Sequence, residues 1–369
     1  MASPVYIFAG GGTGGHLYPG VAVAGELARL RPEAKAVFAC SDRPIDRLIL
    51  DETAYAVVPQ PVRPMPRRIA ECPGFVRAYL SSAAQARRMI ADLRPAAVLG
   101  LGGFAAGPVV YRAAKTGVRT GLLNPDAIPG RANRLLAGRV DAIFTQFSIT
   151  AEHLGRSGGA KVHLVGCPVR REFALADRGE AIGHFGLRED LKTLLVNGGS
   201  LGARSINEAI GRLAAELDEQ AGTWQVLHVT GPSKTSALGG QAGGLNVRVL
   251  EYCRRMDLAY AAADLALSRA GAGTVAELAA TGTPAVLMPY PYHADQHQRL
   301  NAAGLSEAGA AVICEDGRDA DRSAEALRRT LLPILREPDR LARMTEAASQ
   351  AAPHNAAEAV ARWLTGREI

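Results

Sequence analysis

His16 closes the run Gly10-Gly11-Gly12-Thr13-Gly14-Gly15. An imidazole there has the chemistry of a general base near neutral pH, and the glycines ahead of it offer bare backbone N–H groups to an anion. The ring either caps its own turn or reaches into a cleft to take a proton; the flanking glycines favour the second. Two further diglycine loops follow apolar runs. Gly102-Gly103-Phe104 comes after Ala97-Val98-Leu99, and Gly198-Gly199-Ser200 after Leu194-Leu195-Val196. A strand that ends in glycines and opens into a helix is a phosphate site. Two such loops in the first half and one in the second call for phosphorylated ligands, diphosphates above all.

The second half carries a denser constellation. Arg269-Ala270-Gly271-Ala272-Gly273-Thr274 follows an apolar run and is expected to open a helix at Val275, placing Glu277 in its first turn. The small residues suit a diphosphate. Glu277 either complements the helix dipole or accepts both hydroxyls of a ribose. Tyr290-Pro291-Tyr292-His293-Ala294-Asp295-Gln296-His297-Gln298 then puts polar groups after another strand, with Asn301 beyond. Asp295 and Gln298 are suited to sugar hydroxyls. The spacing of His293, Asp295 and His297 is not a ligand set on one helix face, so no metal is expected. The first loop also fits a G-x-G-x-x-G pattern, but the nearest acid to hold a nicotinamide ribose, Asp42, lies past the second strand's end.

These residues need a scaffold. The chain has 369 residues, 48% hydrophobic and 21% charged, enough for two cores. A net charge of +6 favours anionic partners. Nucleic acid is not among those expected, because no basic run carries the usual interleaved aromatics. Five separated cysteines make no C-x-x-C pair, which fits a reducing compartment. The amino terminus shows no basic n-region, and no uncharged stretch escapes glycine and proline long enough to span a bilayer. Short apolar runs, with strands expected at Val5–Ala9, Ala36–Ala39, Ala56–Val58, Ala97–Leu99, Gly121–Leu123, Ala142–Thr145, Val162–Val165, Thr193–Val196, Gln225–Val229, Val247–Leu250, Leu265–Leu267, Ala285–Met288 and Ala311–Ile313, alternate with helical patterns such as Val21–Leu30, Ala83–Asp92, Ser205–Leu217 and Val275–Thr281. The expected class is therefore α/β with two doubly wound, Rossmann-like domains facing a cleft. Their bounds are read as 1–167 and 168–350. A last helix within 351–369 carries Trp363 and packs back on the first domain. Residues 62–90 differ: Arg63, Arg67, Arg68, Arg77, Arg87 and Arg88 alternate with Ile69, Phe75, Val76, Tyr79 and Leu80. Such a segment either lies on an anionic membrane or turns its apolar side into the core.

Taken in order, the motifs resemble the MurG family of cell-wall transferases over nearly the whole chain. They are Gly11 to His16 with Pro19-Gly20, Gly102-Gly103-Phe104 with Gly107-Pro108, Gly166-Cys167-Pro168-Val169-Arg170, Gly198 to Arg204, Gly271 to Glu277, and Asp295 to Ala302. The resemblance implies a GT-B fold and inverting transfer of N-acetylglucosamine from UDP-N-acetylglucosamine to undecaprenyl-diphosphate-N-acetylmuramoyl-pentapeptide (lipid I to lipid II), with no cofactor. It implies nucleotide-sugar contacts at Thr13, Gly14, Gly15, Arg170, Ser200, Cys253, Ala272, Gly273, Thr274, Val275, Ala276, Glu277 and Gln298. Gly12, Gly102 and Gly103 face the acceptor diphosphate, and His16 is the base. It also implies a peripheral protein on the anionic, cytoplasmic face of the inner membrane. The chain departs from the family in three places. It has Leu123-Asn124-Pro125-Asp126 where His-Glu-Gln-Asn is usual, which puts Asp126 at the sugar-contacting Asn; Cys253 replaces an aliphatic residue at the nucleobase; and Leu201 replaces a Gln. The Asp126 change leaves alternatives open: another GT-B acceptor, a UDP-N-acetylglucosamine 2-epimerase, or an inactive UDP-sugar-binding paralogue.

Overall fold

The structure, a computed structural model, describes residues 3–368 apart from 65, 67, 201, 233, 235, 237, 239–242 and 352–354. Arg67 and Leu201, singled out above, lie outside the described residues. The chain divides into two units, residues 1–170 with 354–369, and residues 171–353.

The first unit holds β1 (Val5–Gly10), β2 (Lys35–Ser41), β3 (Ala56–Gln60), β4 (Ala97–Gly102), β5 (Arg119–Asn124), β6 (Ala142–Thr145) and β7 (Val162–Leu164). They run parallel in the order β3-β2-β1-β4-β5-β6-β7. The second holds β8 (Lys192–Asn197), β9 (Trp224–Val229), β10 (Val247–Leu250), β11 (Leu265–Ser268), β12 (Ala285–Leu287) and β13 (Ala311–Ile313), in the parallel order β10-β9-β8-β11-β12-β13. Each expected strand is present, several longer by one to three residues and those expected at Val162–Val165 and Ala285–Met288 shorter by one. Continuous apolar runs form these strands because a parallel sheet is covered on both faces. In the first unit Phe8, Phe38, Leu99 and Phe144 pack on one face, and Ile7, Val37, Val98 and Ile143 on the other. In both units the winding reverses at the centre, between β1 and β4 and between β8 and β11. An open α/β sheet binds its ligand at the carboxyl ends of the strands at such a reversal.

The helices depart further from expectation. The helix expected at Val21–Leu30 runs Gly14–Leu30, with Pro19 inside it. The one expected at Ala83–Asp92 runs Cys72–Leu93, and the one expected at Val275–Thr281 begins at Ala272. The helix expected at Ser205–Leu217 breaks at Leu213 into Arg204–Arg212 and Ala214–Asp218. Along Cys72–Leu93 only Ser82, Ala86, Met89 and Ile90 are buried. The apolar side therefore meets the core only in the second half of that helix.

The helix Ala356–Leu364 packs along Gly14–Leu30 in the first unit. Trp363 meets Phe144 edge-on with ring centroids 5.3 Å apart, and the Arg119 guanidinium stands 4.1 Å over the indole. At Gly121 an added Cβ would come within 3.1 Å of the Trp363 ring, so the strand is glycine where the indole lies against it. Trp363→Ala removes a large buried aromatic and is expected to destabilise the first unit by about 3–5 kcal/mol. The second tryptophan, Trp224, lies in the second unit and reports on it alone. In urea the far-UV CD transition should therefore move to lower concentration while the Trp224 fluorescence transition stays. An unchanged CD transition would show that the terminal helix contributes no stability.

Candidate active site

In the first unit the site is built at the reversal between β1 and β4. β1 is followed by Gly11 and Gly12, with φ of 155° and 92°. Behind them lies Asp46, fully buried on the short helix Pro44–Leu50. Its carboxylate accepts the Gly12 N–H at 2.7 and 3.0 Å, the Ser41 N–H at 3.0 Å and the Ser41 hydroxyl at 2.5 Å. A Cβ at Gly11 would stand 2.3 Å from that carboxylate, so glycine is required there. The Gly12 N–H is thus given to Asp46. The N–H groups left by the chain direction are those of Gly14 and Gly15, at the start of Gly14–Leu30. Arg43 reaches the Gly12 carbonyl at 3.4 Å and lies 5.0 Å over the Phe104 ring, adding a cation beside the loop.

His16 is half-buried and fits against the second glycine loop. A Cβ at Gly102 would be 3.2 Å from Nε2, and one at Gly103 would be 2.5 Å from the Gly11 carbonyl. With φ of 97° and 72°, Gly102 and Gly103 bring the two loops together around the ring. Nδ1 lies 3.1 Å from the Thr13 hydroxyl and 3.3 Å from the Gly11 carbonyl. A carbonyl only accepts, so Nδ1 carries the proton and Nε2 keeps its lone pair. Desolvation pushes the imidazole below its usual 6.5, against the opposing pulls of Asp126, the Gly11 carbonyl and Asp46. The ring is therefore neutral at pH 7 and able to accept a proton.

Asp126 follows β5, the next strand along the sheet, on a clamped loop. The Asn124 amide donates to the Asp126 carbonyl at 2.6 Å, Thr150 donates to the Ala127 carbonyl at 3.0 Å, and Asn133 holds Asn124 at 3.0 Å. Arg134 donates its Nε to the Pro129 carbonyl at 2.9 Å. Arg170 stands 4.6 Å over Tyr18, on the same helix as His16. Thr13 to His16, Gly102, Gly103, Asp126 and Arg170 thus all belong to the first unit.

In the second unit the reversal between β8 and β11 gathers the rest. Asn197 accepts the Gly199 N–H at 2.9 Å, fixing the loop that carries Ser200. The helix Ala272–Thr281 opens with Gly271 as its cap, so the amides of Ala272, Gly273 and Thr274 form its first turn. This earlier start puts Glu277 beyond the first turn and removes the reading that it complements the dipole. Glu277 instead faces Tyr260, a fully buried phenol pushed well above its usual value first by burial and then by the Glu277 charge. Cys253 is buried after β10. The Gln298 side-chain carbonyl accepts the Tyr290 N–H at 2.9 Å, leaving its amide to donate. Asp295 is engaged by His297 at 2.7 Å, and those hydrogen bonds hold it below the usual carboxylate range although burial pushes it up.

Sequence reasoning missed the braces behind these loops. Arg269, 8% exposed, pairs with Asp316 at 2.8 Å, reaches the Ser205 hydroxyl at 2.7 Å and donates to the Met288 carbonyl at 2.9 Å. Asn301, also buried, donates to the Ala270 carbonyl at 3.2 Å. Apolar strand ends signalled the loops; nothing local signalled Asp46 or Asp316.

Asp46 presents only acceptors to donors, so Asp46→Asn forces an NH2 group against the Gly12 or Ser41 N–H. That variant is expected to lose about 2 kcal/mol, together with most activity. Chemical denaturation and a transfer assay check it. Wild-type stability would mean that the first loop holds its shape without the carboxylate.

The site geometry can be set beside known proteins. Residues 6–145 match the glycosyltransferase family 28 N-terminal domain, and residues 193–360 its C-terminal domain. A relative from Chlorobaculum parvum, a UDP-N-acetylglucosamine--N-acetylmuramyl-(pentapeptide) pyrophosphoryl-undecaprenol N-acetylglucosamine transferase, is 38% identical over 97% of this chain and 98% of its own. The crystal structure of Acinetobacter baumannii MurG superposes with a TM-score of 0.71 at 25% identity, covering 98% of this chain and 99% of that one. A UDP-GlcNAc 2-epimerase from Neisseria meningitidis shares the fold alone, with a TM-score of 0.66 at 13% identity over 98% of both chains. With both domain matches, a full-length relative above 30% identity and the GT-B fold, the chain belongs to the MurG family of glycosyltransferases.

Proposed function

We propose that this chain transfers N-acetylglucosamine from UDP-N-acetylglucosamine to undecaprenyl-diphosphate-N-acetylmuramoyl-pentapeptide, inverting the anomeric centre. The observation that carries the reading is the neutral imidazole of His16, its Nδ1 tied to a carbonyl, at the reversal of a sheet in a chain of this family. His16 takes the acceptor hydroxyl proton on Nε2 as that oxygen bonds to the anomeric carbon. The bond from that carbon to the diphosphate oxygen breaks, and UDP leaves with the electron pair. The amides of Ala272, Gly273 and Thr274 meet the charge developing on the leaving diphosphate. Val275 and Ala276 set the backbone that brings Glu277 to the ribose hydroxyls, Cys253 lies against the base, and Ser200 and Gln298 bind the donor. Thr13, Gly14, Gly15, Asp126 and Arg170 are further substrate contacts of this reading. Gly102 and Gly103 admit the acceptor diphosphate, and Gly12 serves by its conformation.

The same reading puts the protein peripherally at an anionic membrane, on its cytoplasmic side, because the proposed acceptor is lipid-linked and the donor is a nucleotide sugar. The exposed half of Cys72–Leu93 suits that surface. Ile69 is 90% and Leu80 61% exposed, Val76 and Tyr79 stand beside them, and Arg63, Arg68, Arg77, Arg87 and Arg88 are exposed around them. No helix among the described residues is long and apolar enough to cross a membrane. With about 1 kcal/mol per basic residue at an anionic surface, Arg68→Gln with Arg77→Gln should weaken co-sedimentation with phosphatidylglycerol vesicles about tenfold or more. Equal binding by the variant would exclude this face.

His16→Ala should keep UDP binding and lose about two to four orders of magnitude in acceptor-dependent UDP release. Because His16 titrates below 6.5, kcat/KM should hold as pH falls to that value and drop only below it. Normal turnover by the variant would remove His16 as the base. Release of UDP from wild type without acceptor would favour the epimerase or hydrolysis.

A further inference from the structure

Asp46 creates an electrostatic problem at the first glycine loop. Its carboxylate is fully buried and bonded to the Gly12 amide and to the amide and hydroxyl of Ser41. These neutral donors satisfy the oxygens but do not cancel the charge. Gly14 and Gly15 begin the helix just beyond, and a diphosphate brought to their N–H groups meets a like charge behind the loop. Neither Gly10 to His16 nor Gly102 to Pro108 carries a lysine or arginine of its own. A loop built this way needs a cation from elsewhere in the fold to hold a diphosphate.

Arg43 supplies it. The residue before a proline is held extended, and Arg43, ahead of Pro44, has φ of −65° and ψ of 145°. Its carbonyl accepts the Asp46 N–H at 3.0 Å and the Arg47 N–H at 3.3 Å, which ties its backbone to the helix that carries the buried acid. The side chain runs to the glycine loops. Nη1 donates to the Gly12 carbonyl at 3.4 Å, and the guanidinium stands 5.0 Å over the ring of Phe104, the residue after Gly102-Gly103. A Cβ at Gly12 would be 3.6 Å from Nη1 and 3.7 Å from that ring, so the bare glycine faces both. The guanidinium therefore joins the two loops that enclose His16. An aromatic face holds a cation without neutralising it. One long bond to a carbonyl uses one of five N–H donors, and the residue is exposed.

We propose that Arg43 is a ligand of the acceptor's diphosphate, held between the paired glycine loops of the first unit. The inference rests on the reading of those loops as the acceptor's diphosphate site and adds the cation that they lack. It assigns Arg43 to the acceptor because Phe104, over which the guanidinium lies, continues the Gly102-Gly103 loop, whereas the donor diphosphate meets the amides of Ala272, Gly273 and Thr274 in that reading. The planar fork suits two phosphate oxygens at once. No bond forms or breaks at this diphosphate: it is intact in the acceptor and in the product. Arg43 therefore binds ground state and transition state alike, and its loss falls on KM and not on kcat.

Arg43→Gln tests it, with an unchanged urea midpoint as the check that the exposed position tolerates the change. KM for the lipid-linked acceptor should rise about 10- to 100-fold, with kcat and KM for UDP-N-acetylglucosamine unchanged. Arg43→Lys should restore part of the loss, because an ammonium supplies the charge but not the fork. Added salt should raise the acceptor KM of the wild type more steeply than that of Arg43→Gln. Calorimetric titration with inorganic pyrophosphate, on protein saturated with UDP to fill the donor loops, reads the site without turnover; Arg43→Gln should bind about tenfold more weakly or worse. Equal acceptor KM and equal pyrophosphate affinity would overturn the inference. A rise in the donor KM alone would also overturn it, by giving Arg43 to the other substrate. Failure of the wild type to transfer to the lipid-linked acceptor would instead overturn the proposed function, and the pyrophosphate titration would still decide whether Arg43 holds a diphosphate.

Discussion

The first unit's site depends on one buried anion. Asp46 is removed from water, and its carboxylate is satisfied entirely by the Gly12 amide and the amide and hydroxyl of Ser41. A buried carboxylate costs several kcal/mol unless donors replace its water. Here the donors come from the two strand ends that the loop must join, β1 and β2. Satisfying the charge therefore shapes the loop. Gly11 must lack a side chain because the carboxylate occupies that space, and Gly12 must take a positive φ to present its N–H. The helix carrying His16 starts two residues later. A glycine loop alone loses more backbone entropy on ordering than any other sequence, so it needs such an anchor to hold one shape.

The second unit solves the same problem with a cation. Arg269 lies at the start of the glycine loop after β11 and is nearly as buried, but it is paired with Asp316 and bonded to Ser205 and two backbone carbonyls. The guanidinium fork reaches three different segments at once, a geometry that lysine does not offer. It ties the loop after β11 to the ends of β12 and β13 and to the helix Arg204–Arg212. In both units, then, a buried charge with a full set of partners keeps glycine amides in place at the reversal of a sheet.

That division explains what the sequence disclosed and what it hid. The strands were legible because burial on both faces writes a continuous apolar run, and the glycine loops were legible because they follow such runs. His16 stood out by its neighbours. Helix starts were misjudged where proline and glycine read as breaks. Pro19-Gly20 lies inside Gly14–Leu30, and Gly20 is there because a Cβ would come within 2.4 Å of Leu101. That is a tertiary demand with no local sign. Asp46 lies 34 residues from Gly12, and Asp316 lies 111 from Ser205. Nothing in their own surroundings marks them, because their partners are chosen by the sheet and not by the neighbouring sequence. The basic segment was ambiguous for the opposite reason. Its alternation of arginine and apolar residues fits a core-facing helix or a surface-facing one, and Cys72–Leu93 is each in turn along its length.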